Sequence, residues 1–413
     1  MSVVIVGAGQ AGVQVADSLR AGGYTGDVTL VSAEECLPYQ RPPLSKDYMI
    51  PGHEQEALPL RGGSYFEDER ITLLSGRRVE SIDRAAGTVR LCHGEELAFD
   101  HLVLATGLRA RRLDVPGRDL PGVHTLRTLD DAEQLSARLS SARRVVVVGG
   151  GYIGLEFASA AREHGCEVHV LSTSAPLRRS VSAAMSEYVR ASHEAAGTHV
   201  HVGVSASAFE AGADGRVASV VTTGGERLEA DLVVVGIGAS PDLELARNAG
   251  LSVADGVEVD EFLQTSDPRI LAVGDCASFP SNHAGHRVRL ESVQNATDQG
   301  RHVAAVILGR ARPYADLPWF WSIQGKNKIQ IAGLAAPDDD AVVLGDQASG
   351  KFSVARFHDG VLCAVESVNQ PADHMAARTL LSSDAPVMRA EVVAPDFSLK
   401  LAAKAHKQAA LAA

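Results

Sequence analysis

The opening stretch of the chain restricts its fold more than any other. Val3, Val4, Ile5 and Val6 form a β-branched apolar run. Gly7-Ala8-Gly9-Gln10-Ala11-Gly12 follows directly, and Val13, Val15, Ala16 and Leu19 then recur at helical spacing. Strand, glycine turn and helix in that order turn a Gly-x-Gly-x-x-Gly match into a dinucleotide fingerprint. Gly7 allows the sharp turn, Gly9 lets backbone approach a pyrophosphate, and Gly12 lets the helix pack close to the strand. The phosphates sit on the amide-rich, positive end of the helix.

The same pattern returns in mid-chain. Val145 to Val148 is an apolar strand, Gly149-Gly150-Gly151-Tyr152-Ile153-Gly154 is the turn, and Leu155, Glu156, Phe157 and Ala158 open a helix. Val168 to Leu171 is the next strand. Two fingerprints in one chain predict two bound dinucleotides, and the pair that can exchange electrons is a nicotinamide donor and a flavin acceptor.

Composition removes other function classes. The 413 residues suggest two or three domains. A formal net charge of −12, from 39 Lys+Arg against 51 Asp+Glu, argues against nucleic-acid binding. No apolar run approaches the roughly 20 residues of a membrane span, and a first strand that starts almost at once is expected to leave no room for a signal peptide. The five cysteines are scattered without a C-x-x-C, which predicts no dithiol, no metal site and a reduced, cytoplasmic chain.

Between and after the fingerprints the reading is coarser. Val28 to Val31 is a second strand. Glu34 follows at the offset where a carboxylate would bind the adenosine ribose, with Glu35 as its rival. Pro38 to Lys46 reads as a proline-stiffened extended turn with a solvated lysine. Val79, Ile82, Val89 and Leu91 mark a small β-meander, and Leu102 to Gly107 is a buried strand ending in a small-residue turn. The chain is expected to leave the first domain near Pro116 and Pro121. Leu232 to Val235, with Gly236-Ile237-Gly238 after it, closes the second nucleotide unit. Ile270 to Val273 is a strand ending at Gly274-Asp275. Asp275 is either a ligand-facing carboxylate or a helix N-cap, and Glu291 to Ala296 opens another helix. Beyond Pro318, strands near residues 329–331, 342–344, 352–357 and 361–365 and a helical tail predict a smaller domain. Asp338-Asp339-Asp340 reads as a solvated turn.

These motifs, with Arg41-Pro42-Pro43-Leu44-Ser45-Lys46, Ala105-Thr106-Gly107, Leu126-Arg127-Thr128-Leu129, Val273-Gly274-Asp275, Glu291-Ser292-Val293 and Pro318-Trp319-Phe320-Trp321-Ser322, make the chain resemble the flavoprotein pyridine-nucleotide reductases. It looks closest to the ferredoxin reductases that serve oxygenases. The resemblance implies an α/β fold: two Rossmann-like dinucleotide-binding domains, glutathione reductase-like, plus a small α+β C-terminal domain. FAD would occupy a discontinuous domain, 1–112 and 241–316, NADH or NADPH a domain over 113–240, and residues 317–413 an interface-like domain. For FAD it implies Gly7, Gly9, Ala11, Gly12, Glu34, Lys46, Val79, Ala105, Thr106, Gly107, Arg127, Asp275, Val293 and Trp321. For the nicotinamide coenzyme it implies Gly149, Gly151, Tyr152, Ile153, Gly154, Glu156, Ser172, Arg178 and Gly238. Lys46 and Glu156 would lie at the flavin's reactive edge. The implied partner is a 2Fe–2S ferredoxin, and the chain would be a monomer or homodimer.

Two positions depart from the family pattern. Ile323 replaces an acid after Trp-Phe-Trp-Ser, with Lys326 and Lys328 close behind. Ser172 stands where NADH-using relatives carry an acid, with Arg178 and Arg179 following. The expectation is a relaxed enzyme using both coenzymes. A disulfide reductase lacks its cysteine pair here, and a peroxidase has only Cys36 as a candidate, which falls well before the family position. A signalling flavoprotein related to apoptosis-inducing factor is the remaining alternative.

Overall fold

The computed structural model describes residues 1–50 and 58–412 and divides into two compact units. The first comprises residues 1–40, 56–109 and 240–318, and the second 41–55, 110–239 and 319–413. The chain leaves the first unit after Gln40, returns, and leaves it again after Arg109.

The first unit is built on a five-stranded parallel sheet in the order Ile270–Ala272, His101–Leu104, Ser2–Val6, Asp27–Val31, Ile71–Leu74. Ser2–Val6 lies at the centre, and its Val3 to Val6 are buried, as a strand covered on both faces must be. The helix Gln10–Ala21 buries Ala11, Val13, Val15, Ala16 and Leu19 on one stripe. The meander appears as Val79–Asp83, Thr88–Leu91 and Glu96–Ala98, antiparallel throughout.

The second unit repeats the plan. Its parallel sheet runs Thr198–Val202, Glu167–Ser172, Arg144–Val148, Leu232–Val235, Val123–His124, again with the fingerprint strand at the centre. A second antiparallel sheet follows in the order Trp319–Gln324, Asn327–Gly333, Val361–Val368, Lys351–His358, Asp340–Asp346. The helices Pro371–Leu381 and Leu399–Ala412 belong to its core, around Ala355, Phe357 and Val365. The α/β class with an added α+β part is therefore as expected.

A buried ion pair lies within the antiparallel sheet of this unit. Arg356 Nη1 donates to Glu366 Oε1 (2.7 Å), and both side chains are 2 % exposed. Glu366 also accepts from the backbone N (2.7 Å) and Oγ (2.6 Å) of Ser182, the N-cap of helix Ala183–Ala195. Such a pair adds little net stability, but losing one partner costs roughly 3–5 kcal/mol.

Two local readings are corrected. Pro42–Ser45 is a 3-10 turn rather than an extended segment, with Pro42 at its first position, where a missing N–H costs nothing. Asp339 is no solvated acid: its side chain is 8 % exposed and accepts from His358 Nδ1 (2.7 Å) and the Ala336 backbone N (2.6 Å). Asp340 begins a strand and pairs with Arg389.

Candidate functional site

The two glycine turns are built alike. Gly7 has φ +108°, and a Cβ there would lie 2.2 Å from the Ala105 carbonyl oxygen. A Cβ on Gly12 would lie 1.9 Å from the Gly7 oxygen, so any side chain would push the helix off its strand. The corresponding distances are 2.3 Å from Gly149 to the Gly236 oxygen and 2.3 Å from Gly154 to the Gly149 oxygen. A Cβ on Gly9 would meet only open space, the side from which a ligand can approach.

Both fingerprint helices begin without a side-chain cap and without an acid in the first turn, at Gly9 and at Gly151. The helices Leu129–Leu139, Ala183–Ala195 and Val293–Ile307 are capped by Thr128, Ser182 and Ser292. A cap contributes about 1 kcal/mol. Two helices that forgo it present orphan N–H donors and positive dipole ends, which suit phosphate.

In the first unit a cavity of about 400 Å³ lies at the carboxyl ends of the central strands, lined among others by Gly7, Val31, Arg78, Val79, Thr106 and Arg109. Gly7, Val79 and Thr106 were expected there. Arg78 and Arg109 were not, and only the strand order reveals them. Thr106 Oγ1 donates to the Asp242 carbonyl (2.9 Å), and Gly107 has φ +65° and accepts from Asp242 N (3.1 Å). Glu34, after strand Asp27–Val31, accepts from Tyr39 Oη (2.6 Å) and is less exposed than Glu35. Gly274 sits against Ala11 and Ala296, which brings Asp275 and the start of helix Val293–Ile307 beside the first fingerprint helix. Asp275 lies within the 3-10 turn Gly274–Cys276, whose N-cap is Val273. Gln299, fully buried, accepts from Gly274 N (2.7 Å), and its Nε2 is a buried donor with no hydrogen-bond partner among the described residues.

In the second unit the polar centre is Glu156, one turn into the helix Tyr152–Glu163. Its Oε2 accepts from Lys46 Nζ (2.7 Å) and Ser45 Oγ (2.6 Å), and its Oε1 from Ser322 Oγ (2.5 Å). Side-chain exposure is 13 % for Lys46 and 4 % for Glu156, so the solvated-lysine reading fails. Lys46 also donates to the Pro42 carbonyl (3.0 Å), which the 3-10 turn aims at it. Gln324 Nε2 donates to Ser322 Oγ (2.8 Å), and Gln324 Oε1 lies 3.0 Å from His193 Nε2. Burial, with Glu366 nearby and Glu156 further on, pushes the Tyr152 hydroxyl up.

Strand alternation sorts the aromatic cluster. Phe320 meets the Tyr152 ring at 4.6 Å, on the face with Ser322 and Glu156. Trp321 and Trp319 lie on the other face, 5.7 Å apart, with the Arg378 guanidinium over Trp319 at 4.6 Å. All three rings are partly exposed. Arg41 Nη1 donates to the Arg127 carbonyl (2.6 Å).

Gly151 and Ile153 are exposed at the start of the second fingerprint helix. Gly238, with φ +98°, accepts from Arg111 N (3.0 Å). Ser172 ends its strand as expected, and its hydroxyl lies where a Cβ on Gly150 would touch it at 2.5 Å. That hydroxyl donates to the Ser174 carbonyl (2.7 Å), and Arg178 Nη1 donates to the Pro337 carbonyl (3.2 Å).

The pyridine nucleotide-disulphide oxidoreductase profile matches residues 1–300, and the reductase C-terminal profile residues 319–403. Rhodocoxin reductase of Rhodococcus erythropolis is 48 % identical over 408 residues, which is 98 % of this chain and 95 % of that protein. The ferredoxin reductase for the CYP199A2 system of Rhodopseudomonas palustris superposes with a TM-score of 0.94 at 47 % identity, over 97 % of this chain and 99 % of that one. The reductase in the covalent putidaredoxin reductase–putidaredoxin complex gives 0.95 at 39 % identity, over 98 % and 99 %. With its glycine turns, uncapped helices and C-terminal sheet, the chain belongs to the pyridine nucleotide-disulphide oxidoreductase family, in the branch that carries a reductase C-terminal domain.

Proposed function

We propose that the chain is a flavin-dependent ferredoxin reductase, passing electrons from NADH or NADPH through FAD to a 2Fe–2S ferredoxin that feeds an oxygenase. The observation that carries this reading is the pair of acid-free, uncapped helix starts behind glycine turns, each in its own parallel sheet. FAD supplies the chemistry that a protein side chain lacks: it accepts two electrons together and releases them singly.

The residues divide the work. Gly7, Gly9, Ala11 and Gly12 seat one pyrophosphate, and Gly7 shares its cavity with Arg78. Gln299, bonded to the Gly274 that adjoins Asp275, holds an unspent buried donor, which fits a polyol. Gly149 to Gly154 seat the nicotinamide coenzyme. Lys46, held in place by Glu156, would supply positive charge that favours a reduced, anionic flavin. The domains assigned to these tasks are 1–112 with 241–316, 113–240, and 317–413.

The disulfide-reductase alternative is disfavoured by chemistry. The chain has no C-x-x-C, and burial pushes the Cys276 thiol up, away from the reactive thiolate. Reduced cysteines fit a cytoplasmic location, and among the described residues no helix is long and apolar enough to cross a membrane.

The test is reduction of cytochrome c by NADH and by NADPH, with and without 2Fe–2S ferredoxins. Turnover that rises with ferredoxin supports the reading. Consumption of oxygen or peroxide at the same rate, with no response to any ferredoxin, assigns the chain to the oxidase–peroxidase alternative.

A further inference from the structure

A histidine cluster lies on the second unit's parallel sheet, apart from both glycine turns. In the parallel register, His169 stands opposite His199, and Leu171 opposite His201. Alternation puts Glu167, His169, His199 and His201 on one face. The His169 ring stacks on His199 (centroids 4.7 Å, 22°) and on His201 (5.2 Å, 24°). His169 Nδ1 lies 2.9 Å from His201 Nε2, and His169 Nε2 lies 3.3 Å from Glu167 Oε1. One donor atom each from Glu167, His169 and His199 fall within 4.8 Å of one another.

We propose that this cluster is a zinc-binding site, with Glu167, His169 and His199 as ligands and His201 as a positioning residue. Two imidazoles and a carboxylate with a fourth place for water form a familiar tetrahedral zinc set. Ligand atoms about 2.0 Å from zinc at a tetrahedral angle are about 3.3 Å apart. The Glu167–His169 separation of 3.3 Å already matches. The exposed His199 ring closes the set by rotation. A metal-bound histidine is oriented by the partner of its other nitrogen. With its proton on Nδ1, His169 donates to His201 Nε2 and keeps the Nε2 lone pair for the ion. Glu167 and His199 are exposed, so the ion enters from solvent. Thr198–Val202 is the edge strand of its sheet, and the ion ties it to its neighbour.

No spacing rule finds this site, because the register and not the sequence brings residue 199 beside residue 169. It also stands independently of the redox reading: none of its residues belongs to that machinery.

The experiment uses the FAD-loaded enzyme after chelator treatment and titrates Zn²⁺ by calorimetry. One equivalent is expected per chain, with nitrogen and oxygen ligands and no sulphur in zinc X-ray absorption. The His169→Ala and His199→Ala variants are each expected to lose at least about 100-fold in affinity, and His201→Ala about 10–100-fold. Zinc is expected to raise the melting temperature of the parent and not of the first two variants. Ferricyanide turnover and zinc-free melting of all three variants should equal the parent's, which shows that they fold. Absence of binding, a sulphur ligand, or unchanged affinity in the His169→Ala and His199→Ala variants overturns the proposal and leaves a hydrogen-bonded Glu167–His169–His201 chain.

Discussion

Lys46 and Glu156 stand 110 positions apart in the chain and 2.7 Å apart in space. Two hydroxyls, from Ser45 and Ser322, hold the carboxylate but cannot neutralise it. Lys46→Ala therefore leaves a buried charge unpaired, at a cost of roughly 3–5 kcal/mol in stability. It should also slow hydride transfer by more than about tenfold, roughly 1.4 kcal/mol of barrier, with FAD retained. Stopped-flow flavin bleaching at the parent rate would remove Lys46 from the reaction.

Coenzyme choice turns on the strand end at Ser172. No carboxylate there repels a 2′-phosphate, so NADH and NADPH are expected to give kcat/KM values within about 30-fold, roughly 2 kcal/mol. Ser172→Glu should strengthen the preference for NADH. Arg178→Ala should weaken NADPH use alone, after releasing the Pro337 carbonyl that Arg178 now holds. A parent preference for NADH beyond about a thousandfold, roughly 4 kcal/mol, would falsify the idea that losing the acid opens the site.

Ferredoxin is expected to dock near Trp321, with Lys326 and Lys328, both exposed, supplying local positive charge on a chain of net charge −12. Rising ionic strength should lower ferredoxin reduction and leave ferricyanide reduction nearly constant. Lys326→Glu combined with Lys328→Glu should act in the same direction. Equal salt responses for both acceptors would place docking elsewhere.

Acid stability should report on His374. Burial, then Arg378 and Lys328, lowers its pKa from 6.5 to about 4. Between those values the unfolded chain binds the proton that the folded chain refuses. The stability is thus present above pH 6.5 and lost as pH falls toward 4. The full loss from this group is at most about 3 kcal/mol. His374→Leu should flatten the urea midpoint between those two pH values, and a slope identical to the parent's would show that His374 does not titrate there.

What was legible in the sequence was local. Each fingerprint, both central strands and the antiparallel C-terminal strands follow from runs of a dozen residues whose periodicity names the element. Asp275 was placed at the right strand end for the same reason. Contacts across long chain separations were not legible. Arg78 and Arg109 share a cavity with Gly7 only because of strand order. Asp339 looked solvated within its acidic run, while its partner His358 lies 19 positions away. The proline run was misread because the rule applied to it concerns residues that precede proline. Pro42 itself is well suited to open a helical turn.

The partners of Glu156 also set an order of assembly in time. Ser45 and Lys46 leave the ribosome before it, and Ser322 follows 166 positions after it. At synthesis rates of about 5–20 residues per second, that interval is roughly 8–33 seconds. Through it the nascent chain holds a carboxylate whose last hydrogen-bond donor has not yet been made. The polar centre cannot close until residue 322 has been made and has left the ribosome.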